Sequence, residues 1–236
     1  VRKSGDQVRI AVTLTRASDG FSEPLGTFTE KLEDIFTLQE KVARAVVEKI
    51  TRRTTTATRL AVQTKNPAAY DAYLRARAAQ MAGSPGEETI RFYQEAIRLD
   101  PHYALPWARL SQAYERWISG SFDRSEENRA RAREAAAQAL RLAPDLPEAH
   151  FAMAAIRLGS DYDHAAAQRE LDEALRLRPN DPEAPWVQAR IDYTFGRWEQ
   201  LGDLILRAAR LDSQNVAVLA NMGGMLSQLG RFADAE

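Results

Sequence analysis

The chain has 236 residues, with 32 lysines and arginines against 33 aspartates and glutamates, a formal net charge of −1. So balanced a chain exerts no general pull on nucleic acid or on an anionic membrane surface, and neither is expected as a partner. It has no cysteine, which excludes a disulfide framework, thiolate chemistry and a zinc–thiolate site.

Residues 1–33 read as strands. Val8, Ile10, Val12 and Leu14 alternate with Arg9, Ala11, Thr13 and Thr15, the pattern of a half-buried strand. Asp19-Gly20 signals a hairpin. A second strand is predicted over about 21–30, with Pro24 pushing it toward a sheet edge or a bulge. A helix is predicted over about 32–52, with Ile35, Leu38, Val42, Val46 and Ile50 as its apolar stripe. Two strands and one helix bury too little to stand alone. Residues 53–66 read as a linker: the stretch is rich in threonine and arginine, and no aromatic residue stands among the arginines to stack on bases.

From there the chain repeats itself. Leu171 to Pro179 reads Leu-Asp-Glu-Ala-Leu-Arg-Leu-Arg-Pro, and close copies end at Pro101 and Pro144. Each is the end of an amphipathic helix closed by a breaker. The stops at Pro67, Pro101, Pro144, Pro179 and Ser213 lie 34, 43, 35 and 34 residues apart, a period that marks a solenoid of helix pairs. The predicted pairs are 67–82 with 87–99, 103–118 with 126–142, 147–158 with 164–177, and 182–195 with 198–211. A last first helix follows at 216–229. The longer second period places extra residues around 117–125, with Trp117 and Phe122 among them.

Six residues after most stops stands a large side chain: Tyr73, Trp107, His150 and Leu219; Trp186 comes seven after its stop. Small or apolar residues follow three and four residues later. The second helices carry Ala132, Ala136 and Ala139; Ala167, Leu171 and Ala174; Leu201, Ile205 and Ala208 on one stripe. Small faces let helices approach, and large side chains fill the gaps. Over about Asn66 to Glu236 this pattern resembles the tetratricopeptide repeat. Arg77 and Arg190 depart from it at small-residue positions, and Ser213 replaces the closing proline.

The beginning of the chain carries a second resemblance. Val1 to Ile10, Asp19-Gly20, and Leu32 to Val47 (Leu-Glu-Asp-Ile-Phe-Thr-Leu-Gln-Glu-Lys-Val-Ala-Arg-Ala-Val-Val) look like the end of the TolB-like amino-terminal domain of bacterial signalling proteins. That resemblance implies a bacterial protein with an output domain upstream, such as an adenylate or guanylate cyclase, a protein kinase or a winged-helix domain. The chain starts at Val1 and stops one residue into a further inner stripe, so it reads as a piece of a longer protein. Its compartment, cytoplasm or periplasm, stays open.

No catalytic, cofactor-binding or metal-binding residue is assigned. The histidines are His102, His150 and His164. Asp161-x-Asp163-His164 reads as a turn and a helix start rather than as metal ligands. Glu87-Glu88 and Glu126-Glu127 are first-turn acids on exposed faces. No lysine occurs after Lys65, which argues against the lysine-based carboxylate clamp of some tetratricopeptide modules.

The expected architecture is mainly α, an α–α superhelix over 67–236 behind a small α/β remnant over 1–52. Function then falls to the concave face formed by the first helices. In this register that face carries Arg109, Gln112 and Arg116, then Phe151 and Ala155. Farther along come Gln188 and Ile191, then Asn221 and Gln228. Such a groove suits a peptide or protein partner with an acidic end and an apolar middle. The alternative is the regulatory portion of an enzyme whose catalytic domain lies upstream; no turnover is expected of this piece. A homodimer through the cut ends is also expected, because an unpaired strand edge and an unpartnered helix stripe both invite a second copy.

Overall fold

The computed structural model describes residues 2–15, 22–31, 35–51, 64–83, 86–119, 124–179, 181, 183–197, 201–206, 223–224, 226–227, 229–231 and 233. The chain divides into two compact units, Val1–Pro67 and Ala68–Glu236.

In the first unit, β1 (Arg2–Ser4), β2 (Gln7–Thr15) and β3 (Ser22–Lys31) form an antiparallel sheet in the order β1-β2-β3. The alternation of β2 is visible in its burial: Val8 is buried, Ile10, Val12 and Leu14 are half-buried, and the residues between them are exposed. Pro24 meets both expectations at once. Its strand lies at a sheet edge, and the register slips beside it: Val12 faces Gly26 whereas Thr13 faces Pro24, so Leu25 is the extra residue of a bulge.

The strand pair foreseen from the sequence is in fact three strands. β1 joins β2 through Gly5-Asp6, with Ser4 opposite Gln7 and Gly5 at φ 61°. This is a two-residue hairpin whose glycine takes the left-handed conformation, and the dipeptide was its signal. The hairpin around Asp19-Gly20 and the stretch 52–63 lie outside the described residues. Helix α1 (Ile35–Thr51) packs on β3, with Leu38 fully buried. Lys49 reaches Glu23 at 2.6 Å, and Lys41 pairs with Glu30.

The second unit is a stack of helix pairs. Its helices are α2 (Pro67–Met81), α3 (Gly86–Leu99), α4 (Ala104–Ser119), α5 (Glu126–Leu142), α6 (Pro147–Gly159), α7 (His164–Leu177) and α8 (Ala184–Thr194). Residues 201–206 are helical too. Within pairs, α4 packs on α5 and α6 on α7. The first helices also pack on one another, α4 on α6 and α6 on α8, whereas α5 and α7 do not meet to a comparable extent. The side of the first helices is therefore the tighter, inner side of the stack.

The alanine stripes are the reason the helices approach: Ala132, Ala136, Ala139, Ala167, Leu171, Ala174, Leu201 and Ile205 are all fully buried. Ala208 lies outside the described residues. Two helix starts are capped as their sequences indicate. The Ser125 hydroxyl accepts from the Asn128 amide at 3.3 Å, and the Asp163 carboxylate accepts from the Ala166 amide at 2.9 Å. Trp117 belongs to α4, and its indole covers Gly86 at the start of α3, where any Cβ would collide with the ring. Phe122 lies outside the described residues.

Candidate peptide-binding face

On α4, Arg109, Gln112 and Arg116 stand at i, i+3 and i+7, one stripe of the helix, and its Arg109 and Gln112 reach the starts of α6 and α8. Arg109 is drawn into the fold rather than left on a surface. Its Nη1 donates to Glu183 Oε2 at 2.7 Å and to Gln112 Oε1 at 2.8 Å, and its Nη2 lies 3.8 Å from Glu148. Gln112 Nε2 donates to the other Glu183 oxygen at 2.5 Å. Arg178 holds Glu148 at 2.9 Å and Asp181 at 2.5 Å. The result is a charged lattice tying α4 to the starts of α6 and α8. Burial by itself would lower the Arg109 pKa; Glu183, Tyr73 and Glu148 hold it above the ordinary arginine value. Burial likewise works to raise Glu148, but Arg109 and Arg178 keep it below the usual carboxylate range.

Arg116 behaves differently. It is half-buried, and among the described residues it has no hydrogen bond and no carboxylate at ion-pair distance. Burial pushes its pKa down. Arg77, on α2, is half-buried and has no such partner either. The positive charges of Arg109, Arg77 and Arg116 oppose the rise that burial gives the Tyr93 hydroxyl.

The tyrosines around them form a packed group. The ring centroids of Tyr73 lie 6.1 Å from those of Tyr93 and 5.6 Å from those of Tyr103, and Tyr70 stacks on Tyr73 at 6.3 Å. Tyr93 donates to Gln80 Oε1 at 2.9 Å, and burial pushes its pKa up to about 12, so it stays a donor. Sequence reasoning missed this group, although Tyr70, Tyr73 and Arg77 at i, i+3 and i+7 were a signal for one stripe.

The other groove positions fall apart by location. Phe151 and Ile191 are wholly buried in the cluster of α6, α7 and α8, and Ala155 is nearly so; they are packing residues and do not line an open surface. The physical reason is that α6 is enclosed by α4, α5, α7 and α8, so it shows no free apolar stripe. Gln188 is half-buried and donates to Asp192 at 3.0 Å; Gln168 donates to it at 3.2 Å. Asn221 and Gln228 lie outside the described residues.

A second buried ionic site was not foreseen. Glu115 is buried, accepts from Ser160 Oγ at 2.9 Å, and packs so close to Gly159 that a Cβ there would lie 2.6 Å from its Oε2. Burial raises its pKa, and the Ser160 bond opposes the rise. Arg190 supplies the facing charge, its own pKa lowered by burial. The departure of Arg190 from the small-residue rule was the signal.

At Asp161-x-Asp163-His164 the side chains serve the turn. Asp161 pairs with Arg157 at 2.8 Å and with Arg133 at 3.4 Å, Asp163 caps α7, and the His164 ring packs on Phe195 at 5.1 Å. Among the described residues no helix is long and apolar enough to cross a membrane.

Fold and face together define a protein built of stacked helix pairs, with an α/β unit ahead of them. No family model matches the chain, and no curated protein matches it. Among solved structures, the chain is similar to MamA from Desulfovibrio magneticus RS-1 (18% identity, 71% of this chain and 88% of that one, TM-score 0.39). It is similar to PilW, a widely conserved type IV pilus biogenesis factor (18% identity, 71% and 72%, TM-score 0.47). YrrB, described as a TPR protein with an unusual peptide-binding site, is a third (16% identity, 80% and 84%, TM-score 0.37).

Proposed function

We propose that the chain is a non-catalytic protein-interaction module that takes a peptide or protein segment along the inner face of its helix stack. The carrying observation is that α4, α6 and α8 pack side by side along the inner side of the stack, where α6 is closed over and half-buried Arg116 of α4 and Gln188 of α8 mark the accessible parts. A face of this kind fits an extended or helical segment. The strand and helix ahead of the stack, through the resemblance of Val1 to Ile10 and Leu32 to Val47 to TolB-like domains, support placing the module in a larger bacterial signalling protein. The regulatory portion of an enzyme with its catalytic domain upstream is the alternative within the same setting.

The test is a selection of peptides from a displayed library on the whole chain, followed by amide hydrogen exchange with the selected peptide. Protection concentrated on α4 and α8 is expected. Protection on α5 and α7 instead places binding on the outer side and rejects the reading.

A further inference from the structure

The sheet of the first unit has an open edge. Among the described residues nothing pairs with the outer side of β3. Native sheets guard such an edge with prolines, bulges and charges. Here Pro24 and its bulge guard one end, and Glu30-Lys31 stand at the other. Between them run Gly26, Thr27, Phe28 and Thr29, with no charge among them.

Helix α1 leaves room beside that edge. It packs on β3 and does not meet β2 to a comparable extent, so it lies over the edge strand rather than over the middle of the sheet. Its apolar stripe is incompletely covered: Leu38 is buried, but Val42 and Val46 are only half-buried. A groove of about 340 Å³ opens there, with Phe28 and Ala45 as its apolar lining and Glu40, Lys41, Arg44 and Glu48 along its wall. Most wall charges are matched within the chain, Lys41 by Glu30 and Arg44 by Glu40 at 3.3 Å. Glu48 is half-buried and has no ion pair among the described residues.

We propose that the outer edge of β3, beneath α1, accepts an extended segment of a partner protein as a fourth strand of the sheet. Backbone groups of Gly26 to Glu30 supply the hydrogen bonds, and the groove takes alternate side chains of the segment. The register dictates its chemistry. Phe28 lines the groove, whereas Thr27 and Thr29 are exposed on the opposite side of the strand. Residues of the segment therefore alternate between apolar, beside Phe28, and polar, beside the threonines. Charge complementarity adds a lysine or arginine at the end near Glu48. A second copy of the chain fits this edge poorly. Two antiparallel β3 strands about a two-fold axis would lie about 4.8 Å apart with both α1 helices on one face, whereas packed helices need about 8–10 Å. A bare extended segment brings no helix with it.

The probe is a terminally blocked peptide of alternating valine and threonine with a lysine at each end, titrated into the whole chain by fluorescence anisotropy. One control carries N-methyl groups on alternate residues, which removes backbone donors; another has glutamate in place of the lysines. The lysine peptide should bind at least about tenfold tighter than the N-methylated one and about threefold tighter than the glutamate one. Glu48→Gln should abolish the second preference and leave the first. Ala45→Phe, which fills the groove at a half-buried position, should weaken the lysine peptide by about tenfold or more. Peptide held by the helix stack would ignore both substitutions, so this outcome is separable from the reading proposed above. Equal binding of the lysine and N-methylated peptides, no binding at about 1 mM, or full binding by Ala45→Phe each overturns the strand-acceptor edge. Equal binding of the lysine and glutamate peptides overturns the basic occupant. A wild-type chain that doubles in mass by sedimentation, while Ala45→Phe stays monomeric, gives the edge to a second copy and overturns the proposal too.

Discussion

Two different rings perform one task at the position six residues after a stop. Trp107 Nε1 donates to the Pro101 carbonyl at 3.0 Å, and His150 Nε2 stands 2.9 Å from the Pro144 carbonyl. A carbonyl only accepts, so Nε2 carries a proton. The other nitrogen, Nδ1, lies 2.8 Å from a Glu170 carboxylate oxygen, which also accepts. Both nitrogens are therefore protonated and His150 is an imidazolium. The Glu170 hydrogen bond raises its pKa most, burial opposes, and the Pro144 carbonyl adds to the rise. The folded pKa thus stands above the unfolded value of about 6.5. The stabilisation is complete below about pH 6.5 and disappears as pH climbs through the folded value. Melting temperatures across that range should fall for wild type relative to His150→Trp, which keeps a ring N–H for Pro144 but cannot titrate. Parallel curves for the two proteins would refute the charged state. Arg109 makes the second prediction at this scale. Arg109→Met leaves Glu183 without its cation and Gln112 without one of its partners, while Glu148 keeps Arg178, and urea unfolding should show a loss of about 3 kcal/mol. That role was illegible in the sequence: Arg109 stood at a groove position, and its partner Glu183 lies 74 residues away.

Helices of this stack are specified by what they place on their stripes. Ala174 is wholly buried in the contact of α7 with its neighbours. Ala174→Leu should overpack that contact and cost about 1–3 kcal/mol, read as a lower melting temperature; an unchanged one would mean that the stripe has room. Asp163→Ala removes the cap of α7 and should cost about 1 kcal/mol in the same measurement. These elements were readable because a 3.6-residue period and a cap are local signals. The mistaken placement of Phe151 and Ile191 has an equally physical origin. A first helix was taken to keep one side open, but α6 has helices packed on it from both neighbouring pairs, and no period within α6 announces that.

Across the whole molecule, a solenoid is expected to couple only neighbouring repeats. The Arg109–Glu183 contact at 2.7 Å goes further, because it joins the second pair to the start of the fourth. A double-mutant cycle of Arg109→Met and Glu183→Gln should give a coupling energy of roughly 1–3 kcal/mol, whereas Arg109→Met with Asp163→Ala should be additive within about 0.5 kcal/mol. Additivity in both cycles would reduce the charged lattice to independent surface pairs.

The sequence by itself determined the period of the helix pairs, their stops and caps, the alanine stripes, and the alternation and bulge of the strands beside Pro24. Each of these depends on residues a few positions apart, so backbone geometry converts them directly into structure. The tertiary structure alone decided which polar groups on α4 are satisfied. Arg109 and Arg116 sit on the same stripe, seven residues apart, with nothing local to tell them apart. One is held by acids brought in from the starts of α6 and α8, and the other has no carboxylate at ion-pair distance among the described residues. The difference comes from partners distant in the chain, and only the stacking of the pairs delivers them.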